Sequence, residues 1–331
     1  MRVPVIAFFN NKGGVGKTSL VYHLAWMYRD QRHCILVADL DPQANLTAAF
    51  LDEDRLEQLW SDSPHARTVF GAIEPLLKGT GDIVEKPHVE DIAGGLGLLP
   101  GDLALARFED ELSQQWPRCL DRQERAFRVM SAFWRVLQHG ARSHGAEFVL
   151  VDLGPNLGAI NRAALVASDY LAIPLVPDLF SLQGLKNLGP MIRRWREDWH
   201  IRIELNPDPA LELPAGHIQP AGYIIMQHAE RLNRPVRAYE RWEKRIPEDY
   251  SREVLGESAP VMSNGHLLAR VKHYRSLMPM AQEARKPMFH LTAADGAIGA
   301  HTKAVAEARR NFVELGERLL QRCHLSQQLP A

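Results

Sequence analysis

The chain has 331 residues, 46% of them hydrophobic and 24% charged, with a formal net charge of −1, which fits a soluble globular protein large enough for one big α/β domain or one domain with an appendage. No run of about 18 apolar residues is present, so the composition excludes a membrane-spanning helix. Cys34, Cys119 and Cys323 form no Cys-x-x-Cys pair, which argues against an iron–sulfur cluster, a zinc site or a disulfide framework and fits a reducing cytoplasm.

Taken in chain order, the first apolar run is Val3–Phe9, which reads as a strand rather than a signal peptide because it passes straight into a glycine-rich stretch, Asn10–Gly16. Helical spacing follows over Thr18–Gln31, and Cys34–Ala38 has the length and composition of a second buried strand. Residues 52–95 are acidic and carry several glycines and prolines, which predicts an insertion of short helices and loops. Helical segments at Arg122–His144, Asn161–Ala167 and Leu182–Trp199 then alternate with strand-like runs at Phe148–Val151, Tyr170–Val176 and Tyr223–Met226. Such alternation predicts βαβ units: an α/β fold with a mostly parallel twisted sheet and helices on both faces. Asn206–Pro214 reads as a proline-rich connecting loop. Over residues 297–323, Val305, Ala308, Phe312, Leu315 and Leu319 recur at helical intervals. The charges there are mixed in sign, which suits a helix docked on the sheet better than a basic interfacial helix. Residues 1–331 are therefore expected to form a single domain with an insertion and a C-terminal helix.

The stretch "NNKGGVGKTS" lies between the first strand and the first helix, the context that gives a phosphate-binding loop its meaning. Gly13, Gly14 and Gly16 let the backbone curl so that successive N–H groups point inward, and the N-terminus of the next helix adds positive field. Gly13, Gly14, Val15, Gly16, Lys17, Thr18 and Ser19 are the expected phosphate cradle. Lys17 is placed to reach the β- and γ-phosphates of ATP and Thr18 to ligate Mg²⁺. Asp152 ends an apolar strand, where a carboxylate can hold the metal's hydration shell as a Walker B residue. Asp39 and Asp41 occupy alternate positions at the end of the second strand and so point the same way.

The loop departs from the standard Walker A pattern by carrying Asn11 and Lys12 at its start. In this it resembles the deviant Walker A box of the ParA/MinD ATPases, xKGGxGK[ST], and Asn10 is typical of the ParA branch. "VADLDPQANLTAAFL", "LGLLPGDLALARFEDEL", "FVLVDLGPNLGAINRAAL", "ALVASDYLAIPLVPDLFSLQGL" and "AQEARKPMFHL" resemble further family segments in the family's order, covering most of the chain. Two departures stand out: Gly154-Pro155-Asn156 replaces the usual Pro-Pro-Ser of switch II, and Ala44 replaces a glycine after the DLDPQ segment.

The resemblance implies a P-loop ATPase with ATP and Mg²⁺ as cofactors. It assigns Asp41 to positioning the attacking water, Asp39 to the metal side of the site, and Lys12 to the phosphates bound by the other subunit of an ATP-dependent homodimer. The catalytic set is then Lys12, Lys17 and Asp41, and the metal set Thr18, Asp39 and Asp152. By family position, Pro177, Asp178, Gln227 and His228 are candidates for the adenine.

The ParA branch implies nonspecific DNA binding, an activating ParB-like partner and a role in segregating or positioning a plasmid, a chromosome or other cargo. It places the protein in the cytoplasm, on the nucleoid when DNA is bound, without stable membrane insertion. Residues 51–125 hold 16 acidic and 8 basic residues, whereas residues 186–286 hold 17 basic and 13 acidic ones. That asymmetry fits a polyanion-facing surface in the later half or an ordinary solvated one. Arg270, Lys272 and Arg275 are the first candidate DNA contacts and Arg193, Arg194 and Arg196 the second, with Tyr274 and Trp195 as neighbours or as core. Because the first strand begins at residue 3, no preceding winged-helix module and no operator-specific binding are expected. A MinD-like membrane-cycling ATPase is the alternative, although "RCHLSQQLPA" is a poor amphipathic tail. A regulatory switch for a protein client in a mobile-element or defence operon is a further one.

Overall fold

The computed structural model describes residues 2–61, 65–228, 230–231, 234–235, 237–258, 264–274 and 276–326. The strands are β1 (Val5–Phe8), β2 (Ile35–Asp39), β3 (Glu90–Ala93), β4 (Leu96–Leu99), β5 (Phe148–Asp152), β6 (Tyr170–Leu175), β7 (Gln219–His228), the two-residue β8 (Glu230–Arg231) and β9 (Arg234–Pro235), and β10 (Leu267–Lys272). The α-helices are α1 (Lys17–Asp30), α2 (Asn45–Phe50), α3 (Glu53–Ser61), α4 (Val69–Lys78), α5 (Phe108–Arg118), α6 (Glu124–Met130), α7 (Ala132–His144), α8 (Ala159–Val166), α9 (Leu179–Ile203), α10 (Arg237–Glu243), α11 (Ile246–Asp249), α12 (Leu277–Ala284) and α13 (Ala300–Arg322).

Eight strands form one sheet in the order β10-β7-β6-β1-β5-β2-β4-β3, parallel throughout except for the antiparallel β3–β4 edge. The inner strands β1, β2 and β5 are buried along their whole length because both faces are covered. Along β1 the side chains alternate between two cores. Val5, Ala7 and Phe9 join the layer that holds α4 to α9, whereas Ile6 and Phe8 join the layer that holds α1, α12 and α13. The C-terminal helix packs Phe312, Leu315 and Leu319 into that second layer, so its apolar stripe is covered by the protein itself.

The expected α/β architecture is present, and most differences lie at boundaries. Strand β7 extends from Gln219 to His228, beyond the apolar run Tyr223–Met226. The helix expected over Arg122–His144 is two. Arg122 has φ +56°, which a right-handed helix cannot contain. The chain breaks again at Ser131, whose hydroxyl donates to the Phe127 carbonyl at 2.7 Å before α7 begins. The insertion at 52–95 contributes α3, α4 and the edge strand β3. Strand β10 has no counterpart among the expected strands, because Arg270 and Lys272 interrupt its apolar positions at the sheet edge.

Candidate functional site

Register builds the site first. Phe8, Asp152 and Asp39 are cross-strand neighbours on β1, β5 and β2, so the loop after β1 and two aspartates meet at the C-terminal edge of the sheet. That edge is where open α/β sheets bind ligands. The loop turns through Gly14 (φ +73°) and Gly16 (φ +87°), left-handed conformations that a Cβ would strain. Gly16 caps α1, and Lys17 is that helix's first residue.

Lys17 is buried, and its Nζ lies 2.8 Å from Asp152 Oδ1. The Thr18 hydroxyl donates to Asp152 Oδ2 at 2.6 Å. Burial pushes the Asp152 carboxyl above the usual carboxylate range, against the opposing pull of Lys17 and Thr18. Thr18 and Asp152 thus present two adjacent hard oxygen ligands. Mg²⁺ characteristically takes one or two such protein groups and completes its shell with phosphate and water, so the pair fits that ion.

Asp39 does not join that pair. Its Oδ2 accepts from the Thr47 amide and hydroxyl, both at 2.8 Å, and its Oδ1 from the Asp41 amide at 3.2 Å. Burial, then the neighbouring Asp152, pushes its carboxyl up to about 7. Asp39 thus lies beside Asp152 with its carboxylate held by Thr47 and the Asp41 amide. Asp41 is buried as well, accepts from the Gln43 amide at 3.0 Å, and borders the cavity.

Lys12 stands at the rim. It is ion-paired with Asp178 and lies 5.7 Å from the ring centroid of Phe180, whose side chain is exposed. Burial works against ionised Asp178, but Lys12 and the Ser181 amide outweigh it and hold the carboxyl below its usual range. Asn10 anchors the loop: its Nδ2 donates to the Pro174 carbonyl at 2.6 Å, and its Oδ1 accepts from the Lys12 amide at 3.0 Å.

A cavity of about 620 Å³ opens over the loop. Its floor is Gly13 to Ser19 with Lys12 at the rim, one side carries Asp41 and Pro155, and the far wall comes from Tyr22 and His23 of α1 and Met278, Gln282, Arg285 and Lys286 around α12. This volume suits a nucleotide-sized ligand. Pro177 and Asp178 are not part of the lining, because Asp178 turns to Lys12 and caps α9. The side chains of Gln227 and His228 lie outside the described residues; Met226, just before them, closes against Gly16. Gln282, Arg285 and Lys286 lie in the family-like segment AQEARKPMFHL, whereas Tyr22, His23 and Met278 belong to helices whose facing sides only the packing reveals.

The basic candidates separate. Arg270 pairs with Glu243 at 2.6 Å and Lys272 with Glu307 at 2.8 Å. Arg193 donates to the Glu253 carbonyl and so supports the chain internally. Arg194 is largely exposed, 3.7 Å from Asp198, and Arg196 is half-exposed. Arg275 lies outside the described residues. Trp195 is buried in one core layer, and partly buried Tyr274 packs against the other by stacking on Phe312.

The chain is also similar to known proteins. A family profile described as an AAA domain matches residues 3–205. The chromosome partitioning protein ParA of Caulobacter vibrioides is 28% identical over 201 residues, covering 61% of this chain and 66% of that protein. A protein of Corynebacterium diphtheriae aligns over 99% of this chain and 100% of its own, with a TM-score of 0.73 and 25% identity. The ATP complex of the D38A variant of McdA from Cyanothece shares the fold over 99% of both chains, with a TM-score of 0.64 and 15% identity.

Proposed function

The chain belongs to the ParA family of P-loop ATPases, whose AAA-domain profile spans its residues 3–205, and from that premise we propose that it is an ATP-driven positioning switch. It binds ATP, pairs with a second copy, holds duplex DNA through phosphate contacts, and resets by hydrolysis when a ParB-like partner engages it. What carries this reading is the placement of two lysines on one loop: Lys17 on the cavity floor beside Asp152, and Lys12 at the rim beside exposed Phe180.

Lys17 and the loop amides bind the phosphates, Asp41 orients the water, and Lys12 reaches a partner's phosphates in the manner of an arginine finger given in trans. Thr18 and Asp152 would hold Mg²⁺, which would supply charge neutralisation to the phosphates. The nucleoside occupies the far end of the cavity, between Tyr22 and the residues of α12. Arg194, 81% exposed, and its neighbour Arg196 are the candidates of first choice for DNA phosphate, since Arg193 serves the Glu253 carbonyl and Arg270 and Lys272 are closely paired with Glu243 and Glu307 at the surface.

The test is size-exclusion chromatography and DNA mobility shift with ATP, ADP and no nucleotide, on the wild type and Lys12→Ala. ATP-dependent dimers that bind arbitrary duplex in a salt-sensitive way, both lost in the variant, are expected. Dimers without affinity for DNA at low salt would remove the DNA part of the proposal. Wild-type dimerisation and hydrolysis in Lys12→Ala would remove the role of Lys12 in trans.

A further inference from the structure

Residues 154–158, which join Asp152 to α8, touch the catalytic side of the site: Pro155 lines the cavity, and a Cβ on Gly154 would stand 3.1 Å from Asp41 Oδ1. What holds this segment comes from elsewhere. Helix α8 begins at Ala159 after Gly158, which has no side chain to cap it. Instead Glu109, from the first turn of α5, receives the amide of Ala159 on Oε1 at 2.5 Å and that of Ile160 on Oε2 at 2.8 Å. Two first-turn amides thus share one carboxylate across a sequence separation of fifty residues. Buried Asn161 completes the fastening. Its Nδ2 donates to the carbonyls of Gly154 at 2.9 Å and Asn156 at 2.6 Å.

Glu109 also connects to the other side of the site. Its helix follows the segment from Gly101 to Arg107, and the Gly101 amide donates to Thr47 Oγ1 at 2.7 Å. The same Thr47 hydroxyl donates to Asp39. One short stretch, residues 101–109, therefore spans from Asp39 on β2 to the start of α8 beyond β5.

We propose that Glu109 is a positioning residue for hydrolysis: its two-pronged hold on α8 sets the pose of residues 154–158 against Asp41. This rests on the ATPase reading above. Glu109 touches neither the cavity nor the loop, so its loss leaves the phosphate cradle in place and disturbs only the face where the water is oriented. A carboxamide in its place keeps one acceptor and turns an NH₂ toward an amide N–H. An aspartate, shorter by one methylene, keeps the charge but reaches only one amide.

The experiment compares wild type, Glu109→Gln, Glu109→Asp and Glu109→Ala by steady-state ATPase kinetics, with amide hydrogen exchange across residues 154–162, with and without a non-hydrolysable ATP analogue. The loss of one charge-assisted hydrogen bond sets the scale, a fall in kcat of about tenfold for Gln and at least that for Ala, which loses both. KM for ATP is expected to change less than twofold, with Asp intermediate. Wild-type amides 159 and 160 should gain protection with the analogue, and the Gln variant should lose that nucleotide dependence. Unchanged kcat in Glu109→Ala, or an equal loss in KM and kcat, overturns the positioning role. If the wild type binds the analogue without hydrolysing ATP, the ATPase reading fails and the exchange data alone decide: equal nucleotide-dependent protection in wild type and Glu109→Gln overturns the inference.

Discussion

Acidification should loosen the wall of the nucleotide cavity through one histidine. His23 lies on α1 with 3% of its surface exposed; its Nδ1 donates to the Ser19 carbonyl at 2.7 Å, and its Nε2 accepts from the Met288 amide at 3.1 Å. The ring stacks on Phe312 at 5.1 Å between centroids. Protonation would set a donor against the Met288 donor inside an apolar layer. Burial, with a smaller push from His290 and against the pull of the Ser19 carbonyl, lowers the imidazole from 6.5 to about 4. A folded value below the unfolded one means that the stabilisation is complete above pH 6.5 and is lost as pH falls toward 4. At about 1.4 kcal/mol per pH unit, moving from pH 7.5 to 5.0 costs about 2 kcal/mol at this residue. Urea unfolding of wild type and His23→Gln at a series of pH values isolates it, since other groups cancel in the difference. Parallel profiles for the two proteins over that range, or an imidazole NMR titration centred near pH 6.5, would refute the reasoning.

Lys17→Ala should weaken ATP binding by about a hundredfold or more in isothermal titration, because it removes the cradle's cation and leaves Asp152 buried without its partner. Gly16→Ala should lower stability by about 1–2 kcal/mol through its left-handed φ and also weaken nucleotide binding, read by thermal melting with and without ATP. Arg194→Glu should reduce ATP-dependent DNA affinity and its salt slope, whereas Arg270→Glu should act mainly on stability, by breaking the pair with Glu243. Equal effects of the two variants on DNA affinity, at equal stability, would contradict that division.

The sheet and the loop were legible because their signals are local: apolar runs, glycine spacing, and a lysine followed by a threonine. Asp152 could be placed at a strand end for the same reason, and the structure brings it to Lys17 and Thr18. The environment of Asp39 was not legible, since Thr47, which holds its carboxylate, is eight residues away on another element. Arg193 and Arg194 look alike in sequence, yet one faces a carbonyl of the segment packed on α9 and the other faces solvent. Glu109 is one acid in a run of three, and only the packing of α5 on α8 distinguishes it. In strand β10, charge at a sheet edge masks the apolar pattern.

Both loop lysines already have a counterion within their own chain: Lys17 holds Asp152, and Lys12 holds Asp178. Nucleotide arrival is therefore an exchange of anions rather than an addition to bare cations. The incoming group must compete with two carboxylates, so affinity reports a difference and rises steeply with the ligand's charge. A triphosphate meets that demand better than a monophosphate or inorganic phosphate does. Each displaced carboxylate is left where a further cation can take it: Asp152 beside Thr18 for the ion that accompanies ATP, and Asp178 at the rim, facing outward from the site.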